Sequence, residues 1–204
     1  GALREVQTEA PKIKTKAYSA TTHQPEALFA AADLHLRTGQ AREAIEKLNK
    51  VVELGRQGRV RESTIADAEY LLGQAYLETG ELYSARRQFE LVTDNATKSA
   101  YAPFAGRAAI RLVDVALQLE RFETLEDVLA RVDRLMQQDS SEALRYARAK
   151  ALLGLSRYDD ARAAADGITG DSTYVQRAAY LRGVALMKQA QAAIPEVEKA
   201  QRSP

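Results

Sequence analysis

A short segment at which one helix ends and the next begins occurs four times, and it constrains the fold more than any other feature of the chain. In two of these segments, Gly39 and Gly80 follow a stretch whose apolar residues are spaced three and four apart. Glycine after the last residue of a helix supplies the left-handed backbone that ends it. Residues 119–125 and 155–161 align with these segments but have no glycine. The last members of the four segments, Ala44, Ala85, Leu125 and Ala161, are 41, 40 and 36 residues apart.

This recurrence predicts an all-α chain built from stacked helical hairpins. From Pro25 onward the apolar residues keep the spacing of a helix, with no sustained two-residue alternation. Pro25 itself suits the first position of a helix. One hairpin cannot cover its own apolar face, so neighbouring hairpins must stack. The predicted units, repeats 1 to 5, span approximately residues 25–60, 64–98, 100–138, 140–170 and 172–204.

The segment before the first repeat has a different character. Residues 1–24 contain lysines, a Ser/Thr cluster and Pro11, and they lack the apolar core of a secretion signal. We interpret them as a flexible tail or linker. The alternative is an edge strand over residues 12–16, where lysine alternates with isoleucine and threonine.

The second repeat contains the pattern L-G-x-x-Y … A-x-x-x-F, with a glycine at the turn between its two halves. Its members are Leu72, Gly73, Tyr76, Gly80, Ala85 and Phe89. This pattern resembles the tetratricopeptide repeat family. Partial matches in the other repeats extend the resemblance over about 170 residues. It implies a right-handed superhelix, an α-solenoid of about five hairpins, in which the first helix of each hairpin lines a concave groove.

The resemblance also implies which side chains line that groove. Positions four and then three residues apart share a helical face. The expected residues are Phe29, Asp33 and Leu36 in repeat 1; Tyr70, Gln74 and Leu77 in repeat 2; Arg107, Ile110, Arg111, Asp114 and Leu117 in repeat 3; and Tyr146, Lys150 and Leu153 in repeat 4. The alternation of apolar and polar residues suits an extended or helical peptide. The alternative is that some of them contact neighbouring repeats or the chain's own tail.

Some members of this family hold a C-terminal carboxylate with a clamp of lysine and asparagine side chains. Arg107 and Arg111 match the two basic positions of the third repeat, whereas Phe29, Asp33 and Leu71 do not match the clamp positions of the first two. We therefore do not expect such a clamp. The alternative reading of the two arginines is a solvated pair on an exposed helix face.

The remaining composition gives no sign of catalysis, a cofactor or a metal site. The chain has no cysteine, and its two histidines, His23 and His35, have no metal-ligand spacing. We interpret His35 as a structural residue at a helix-packing position. No glycine-rich phosphate loop or nucleophile elbow occurs. The 29 basic and 28 acidic residues leave a net charge of +1, which gives no reason to expect nucleic acid as a partner.

These observations favour a non-enzymatic scaffold or adaptor that binds a segment of a partner protein in its groove, within a multiprotein assembly. The alternative is an oligomerisation or regulatory segment of a longer enzyme or signalling protein, with self-association. No apolar stretch is long enough to insert into a membrane. Residues 99–105 and the period of about 40 residues resemble tetratricopeptide proteins of the bacterial envelope. The sequence does not determine the compartment, but this resemblance favours the bacterial periplasm or cell envelope over the cytoplasm.

Overall fold

The computed structural model describes residues 25–119, 122–169 and 173–201, without the side chains of residues 122, 123 and 195–201. Within these ranges the chain is all-helical and has no β-strand, as the spacing of its apolar residues predicts. The helices are α1 (Pro25–Arg37), α2 (Ala41–Arg56), α3 (Glu62–Glu78), α4 (Leu82–Asp94), α5 (Ala102–Gln118), α6 (Phe122–Met136), α7 (Glu142–Gly154), α8 (Tyr158–Asp166) and α9 (Thr173–Gln201). The predicted tail, residues 1–24, lies outside the described ranges.

The chain divides into two compact bodies, an N-terminal body up to Gln88 and a C-terminal body from Phe89, with the division inside α4. In the N-terminal body α2 packs against both α1 and α3. In the C-terminal body α7 packs against α5, α6, α8 and α9, and α9 also packs against α8. Within each body, this packing of adjacent helices fits a helical repeat protein.

Small residues allow the helices of each body to approach closely. A Cβ atom added to Gly55 on α2 would lie 2.6 Å from Cδ1 of Ile65 on α3. One added to Gly106 on α5 would lie 2.8 Å from Cβ of Ala143 on α7. At both sites a larger side chain would fit only if the neighbouring side chain or helix moved. The larger apolar residues fill the remaining space, and Leu48, Leu72, Leu112, Leu144 and Leu152 are all fully buried.

The turns between the two helices of a repeat use one hydrogen-bonding pattern. Gly39 and Gly80 have φ of 75° and 77°, as expected of glycines that end helices. The residue after each glycine donates its N–H to a carbonyl five residues earlier, from Gln40 to His35 and from Glu81 to Tyr76, both at 2.8 Å. This is the bond of a Schellman motif, which satisfies a carbonyl left open at the helix end. His35 also hydrogen-bonds Gln40 through its ring Nδ1, consistent with a structural role.

The fourth turn has the same backbone without a glycine. Ser156 has a φ of 60°, and Arg157 donates its N–H to the carbonyl of Leu152 at 2.9 Å. A serine in this conformation is strained, because its Cβ crowds the backbone. The third turn lies partly in residues 120–121, outside the described part of the chain.

Repeat 5, for which the sequence predicts a hairpin truncated after Pro195, has no turn between two helices in its described residues. Its residues form one continuous helix, α9, of 29 residues. The reason is local: the only glycine of this stretch, Gly183, does not have the positive φ that ends α1 and α3, and it lies in the helix. The surrounding alanines, glutamines and leucines are good helix formers, so helix propagation continues.

The strained serine makes a direct test of the shared turn possible. We expect Ser156→Gly to raise the free energy of unfolding by about 0.5–1 kcal/mol, because the left-handed conformation costs glycine nothing. The reverse change at the equivalent position, Gly80→Ser, should lower it by a similar amount. Urea denaturation followed by circular dichroism measures both. A destabilised Ser156→Gly variant would show that the turn is not held as described.

Candidate functional site

The predicted groove residues of the N-terminal body lie on α1 and α3, and most are engaged in packing or local pairing. Phe29 and Leu36 are half-buried and pack against the cluster that contains Ala44 and Leu48. Asp33 forms an ion pair with Arg37 of the same helix, with 2.9 Å between carboxylate oxygen and guanidinium nitrogen. On this helix, therefore, the alternative interpretation of packing and self-contact accounts for the two apolar positions.

On α3 the first of the three positions is buried. Tyr70 exposes only 5% of its surface, and its hydroxyl accepts a hydrogen bond from Nε2 of Gln74 at 3.3 Å. Gln74 and Leu77 are half-exposed. Of the three predicted positions on α3, only Gln74 and Leu77 are therefore accessible to a ligand. The buried Tyr70 holds Gln74 in place through its hydroxyl group.

In the C-terminal body, the predicted positions of α5 form a line of charged side chains. The guanidinium carbon of Arg107 lies 5.2 Å from the ring centroid of Phe104, one turn earlier. Arg111 forms an ion pair with Asp114, one turn later, at 3.3 Å. Ile110 is buried, with 8% of its surface exposed. The two arginines therefore each contact a side chain of their own helix, and both keep part of their surface exposed.

The charged line of α5 is connected to α7. Nζ of Lys150 forms an ion pair with Oδ1 of Asp114, so this carboxylate is shared between Lys150 and Arg111. The side chains of Lys150 and Asp114 are only 26% and 18% exposed. Partial burial reduces the screening of such a pair by water and salt. The contact joins α5 and α7 through Asp114 and Lys150, one predicted groove position from each helix.

A ring contact extends this surface from α7 to α9. The ring centroids of Tyr146 and Tyr174 are 5.6 Å apart with 33° between their planes. The guanidinium carbon of Arg177 lies 5.8 Å from the Tyr174 centroid. We call the continuous set on the three helices the basic-aromatic strip. It consists of Phe104, Arg107, Arg111, Asp114, Tyr146, Lys150, Tyr174 and Arg177.

The last predicted positions of α5 and α7 lie at the end of the strip. Leu117 is partly exposed and covers the backbone of α7, because a Cβ on Gly154 would lie 2.6 Å from its Cδ2. Leu153 is half-buried. Sequence reasoning did not identify Phe104, Tyr174 and Arg177. The available signal was the aromatic residue at the start of repeat 5. It was not used because the resemblance to the repeat pattern is weak in that repeat.

A second surface feature lies on α9. Tyr180, Met187 and Ile194 are spaced seven residues apart and are 77%, 51% and 54% exposed. They lie on the side of the helix opposite the buried Ala185. A seven-residue spacing of large apolar residues is typical of a helix that packs against another helix.

The described parts of the chain contain no group of three or more His, Cys, Asp or Glu side chains that could hold a metal ion. In the cleft at the ends of α4 and α6, Arg131 pairs with Asp94 and contacts the hydroxyl of Thr93. On α2, a hydrogen bond from Lys50 lowers the pKa of the Glu46 carboxyl group below its usual value.

None of the helices in the described ranges combines the length and the apolar character needed to cross a bilayer. Comparison of the chain with protein-family models finds no match, and comparison with curated proteins finds no relative.

The shared carboxylate predicts a measurable coupling between α5 and α7. In a double-mutant cycle with Asp114→Asn and Lys150→Gln, we expect a coupling energy of about 0.5–1 kcal/mol that declines in high salt. The exposed pair Glu46–Lys50, with side chains 71% and 58% exposed, is the matched control and should couple less. Equal coupling in the two pairs would mean that Lys150 does not hold the two helices together.

Proposed function

We propose that this chain is a non-enzymatic interaction module of the tetratricopeptide type, a scaffold or adaptor that binds a segment of a partner protein. The binding surface is the face formed by the first helices of its repeats. The observation that carries the proposal is the basic-aromatic strip, in which α5, α7 and α9 present charged and aromatic side chains as one surface. The right-handed superhelix implied by the resemblance is part of this proposal.

The chemistry of the strip favours a polypeptide ligand. Guanidinium groups offer several donors in a fixed plane, and tyrosine rings offer apolar area at a low entropic cost. Peptide-binding grooves combine such anchors with a few charged contacts. The members of the strip hold one another in place, so less side-chain freedom is lost when a ligand binds. Within the same proposal, the likeness of residues 99–105 to envelope proteins favours the bacterial periplasm or envelope.

Site-specific photo-cross-linking tests which face binds the partner. A photoreactive amino acid would replace Arg111 or Gln74 on the proposed face, and Arg42 or Arg134 on α2 and α6 as matched exposed controls. In an extract of the source organism, we expect the photoreactive residue at position 111 or 74 to cross-link one partner polypeptide. The yield should be several-fold higher than at the two control positions. Equal yields at all four positions, or a partner captured only at the controls, would contradict the proposal.

The apolar line on α9 supports a second candidate function, self-association through this helix. An antiparallel pair of α9 helices centred on Met187 would place Tyr180 of one copy opposite Ile194 of the other, because both are seven residues from the centre. A two-fold interface requires this kind of self-complementarity.

Sedimentation velocity over a range of concentrations tests the second candidate. We expect a reversible dimer that Met187→Glu weakens at least about tenfold, because a carboxylate would be buried without a partner. Arg134→Glu on α6 serves as the control for a general effect of added negative charge. A chain that stays monomeric at all concentrations would leave only the first candidate.

A further inference from the structure

We propose that the partner segment is acidic, with two carboxylate side chains at alternating positions near an aromatic or other large apolar residue. This inference rests on the proposed function, since it specifies what the basic-aromatic strip recognises. Three features of the strip carry it: its excess of positive charge, the spacing of its arginines and its pair of tyrosine rings.

The strip is more basic than the chain as a whole. It contains four basic side chains, Arg107, Arg111, Lys150 and Arg177, and one acidic side chain, Asp114. Glu142, four residues before Tyr146 on the same face of α7, adds a second negative charge. The net charge of this small surface is therefore +2, whereas the net charge of all 204 residues is +1. Concentrated charge of one sign attracts a ligand of the opposite sign and excludes ligands of the same sign.

The two arginines of α5 match the geometry of an extended acidic peptide. Arg107 and Arg111 are four residues apart, which corresponds to about 6 Å along a helix axis. Side chains two residues apart in an extended strand are separated by about 6.6 Å and point to the same side. Arg107 is exposed, and the Arg111 side chain keeps 43% of its surface open although it contacts Asp114. Both guanidinium groups are therefore accessible from solvent, and a carboxylate is the ligand that matches their planar set of donors.

The tyrosine pair supplies the apolar part of the site. Tyr146 lies one turn before Lys150, so the rings stand beside the charged line of the strip. Both tyrosines are half-buried, which limits their motion but leaves part of each ring open. Arg177 against the Tyr174 ring adds a positive edge to this apolar patch. An aromatic or large aliphatic side chain of the peptide can pack there while its acidic neighbours contact α5.

The same surface suits single-stranded nucleic acid less well. Stacking bases could also use tyrosine rings, and phosphates could also bind arginine. Two carboxylates, Asp114 and Glu142, lie among the four basic groups, however, and a backbone with one charge per nucleotide would have to pass both. An acidic peptide can avoid them, because its charges can be placed only at chosen positions.

Binding of three fluorescent peptide pools to the full chain tests the inference. All peptides have about twelve residues and share the same apolar positions. Two alternating positions carry Asp or Glu in the acidic pool, Lys or Arg in the basic pool, and Ser or Thr in the neutral pool. Fluorescence anisotropy at low salt should show the acidic pool binding at least about tenfold more tightly than the neutral pool, with the basic pool weakest. The preference should decline as salt is added.

Charge reversal locates the preference on the strip. The double variant Arg107→Glu with Arg111→Glu should remove the preference for the acidic pool, and Arg177→Glu alone should weaken it. The double variant Arg42→Glu with Arg134→Glu adds the same charge outside the strip and should change binding less than about twofold. Circular dichroism confirms that each variant keeps its helices, which we expect because the substituted side chains are at the surface.

The outcomes separate this inference from the proposed function. The acidic and neutral pools could bind equally well, with binding that is lost on Tyr146→Ala but unchanged by charge reversal. That result would support a peptide-binding face and overturn the proposal of an acidic partner. If neither the charge reversals on the strip nor Tyr146→Ala changes peptide binding, both the acidic partner and the proposed peptide-binding face are overturned. A single-stranded oligouridine that binds more tightly than the acidic pool, and loses affinity on the same charge reversal, would overturn the inference in favour of nucleic acid.

Discussion

The structure depends on the close approach of neighbouring helices, which small residues at their crossing points permit. At Gly55, Gly106 and Gly154 no Cβ atom could be added without moving a neighbour. The same approach brings the side chains of adjacent helices within reach of one another, so that Lys150 can share the carboxylate of Asp114 with Arg111. Close packing and the proposed binding surface therefore have one cause.

The side chains of the strip have two roles that are usually treated as alternatives. Tyr146 and Lys150 contact neighbouring helices, as expected of packing residues, and yet both keep part of their surface open. A residue held by an ion pair or a ring contact has already lost much of its freedom, so it binds a ligand at a lower entropic cost. If the proposed function is correct, this local pairing lowers the entropic cost of binding the partner. It also leaves charged groups both partly buried and partly accessible.

The helical architecture could be predicted from the sequence because its signals are local. Gly39 and Gly80 end their helices with the predicted left-handed backbone. Prediction was weaker where no such signal exists: Ser156 adopts this conformation without being a glycine, and α9 continues where a second helix was expected. The four-and-three spacing groups residues that share a helical face but does not predict how deeply each is buried, and Tyr70 and Ile110 are buried.

The sequence by itself determined the helical class, the hairpin turns and the residues that share a face, because these follow from backbone preference and from the helical period within a few neighbouring residues. Only the tertiary structure decided which of those residues are open and which side chains meet across helices. The pairs Asp114–Lys150 and Tyr146–Tyr174 join residues 36 and 28 positions apart. Their contact depends on how closely three helices pack, which is a property of the whole body and of no single segment.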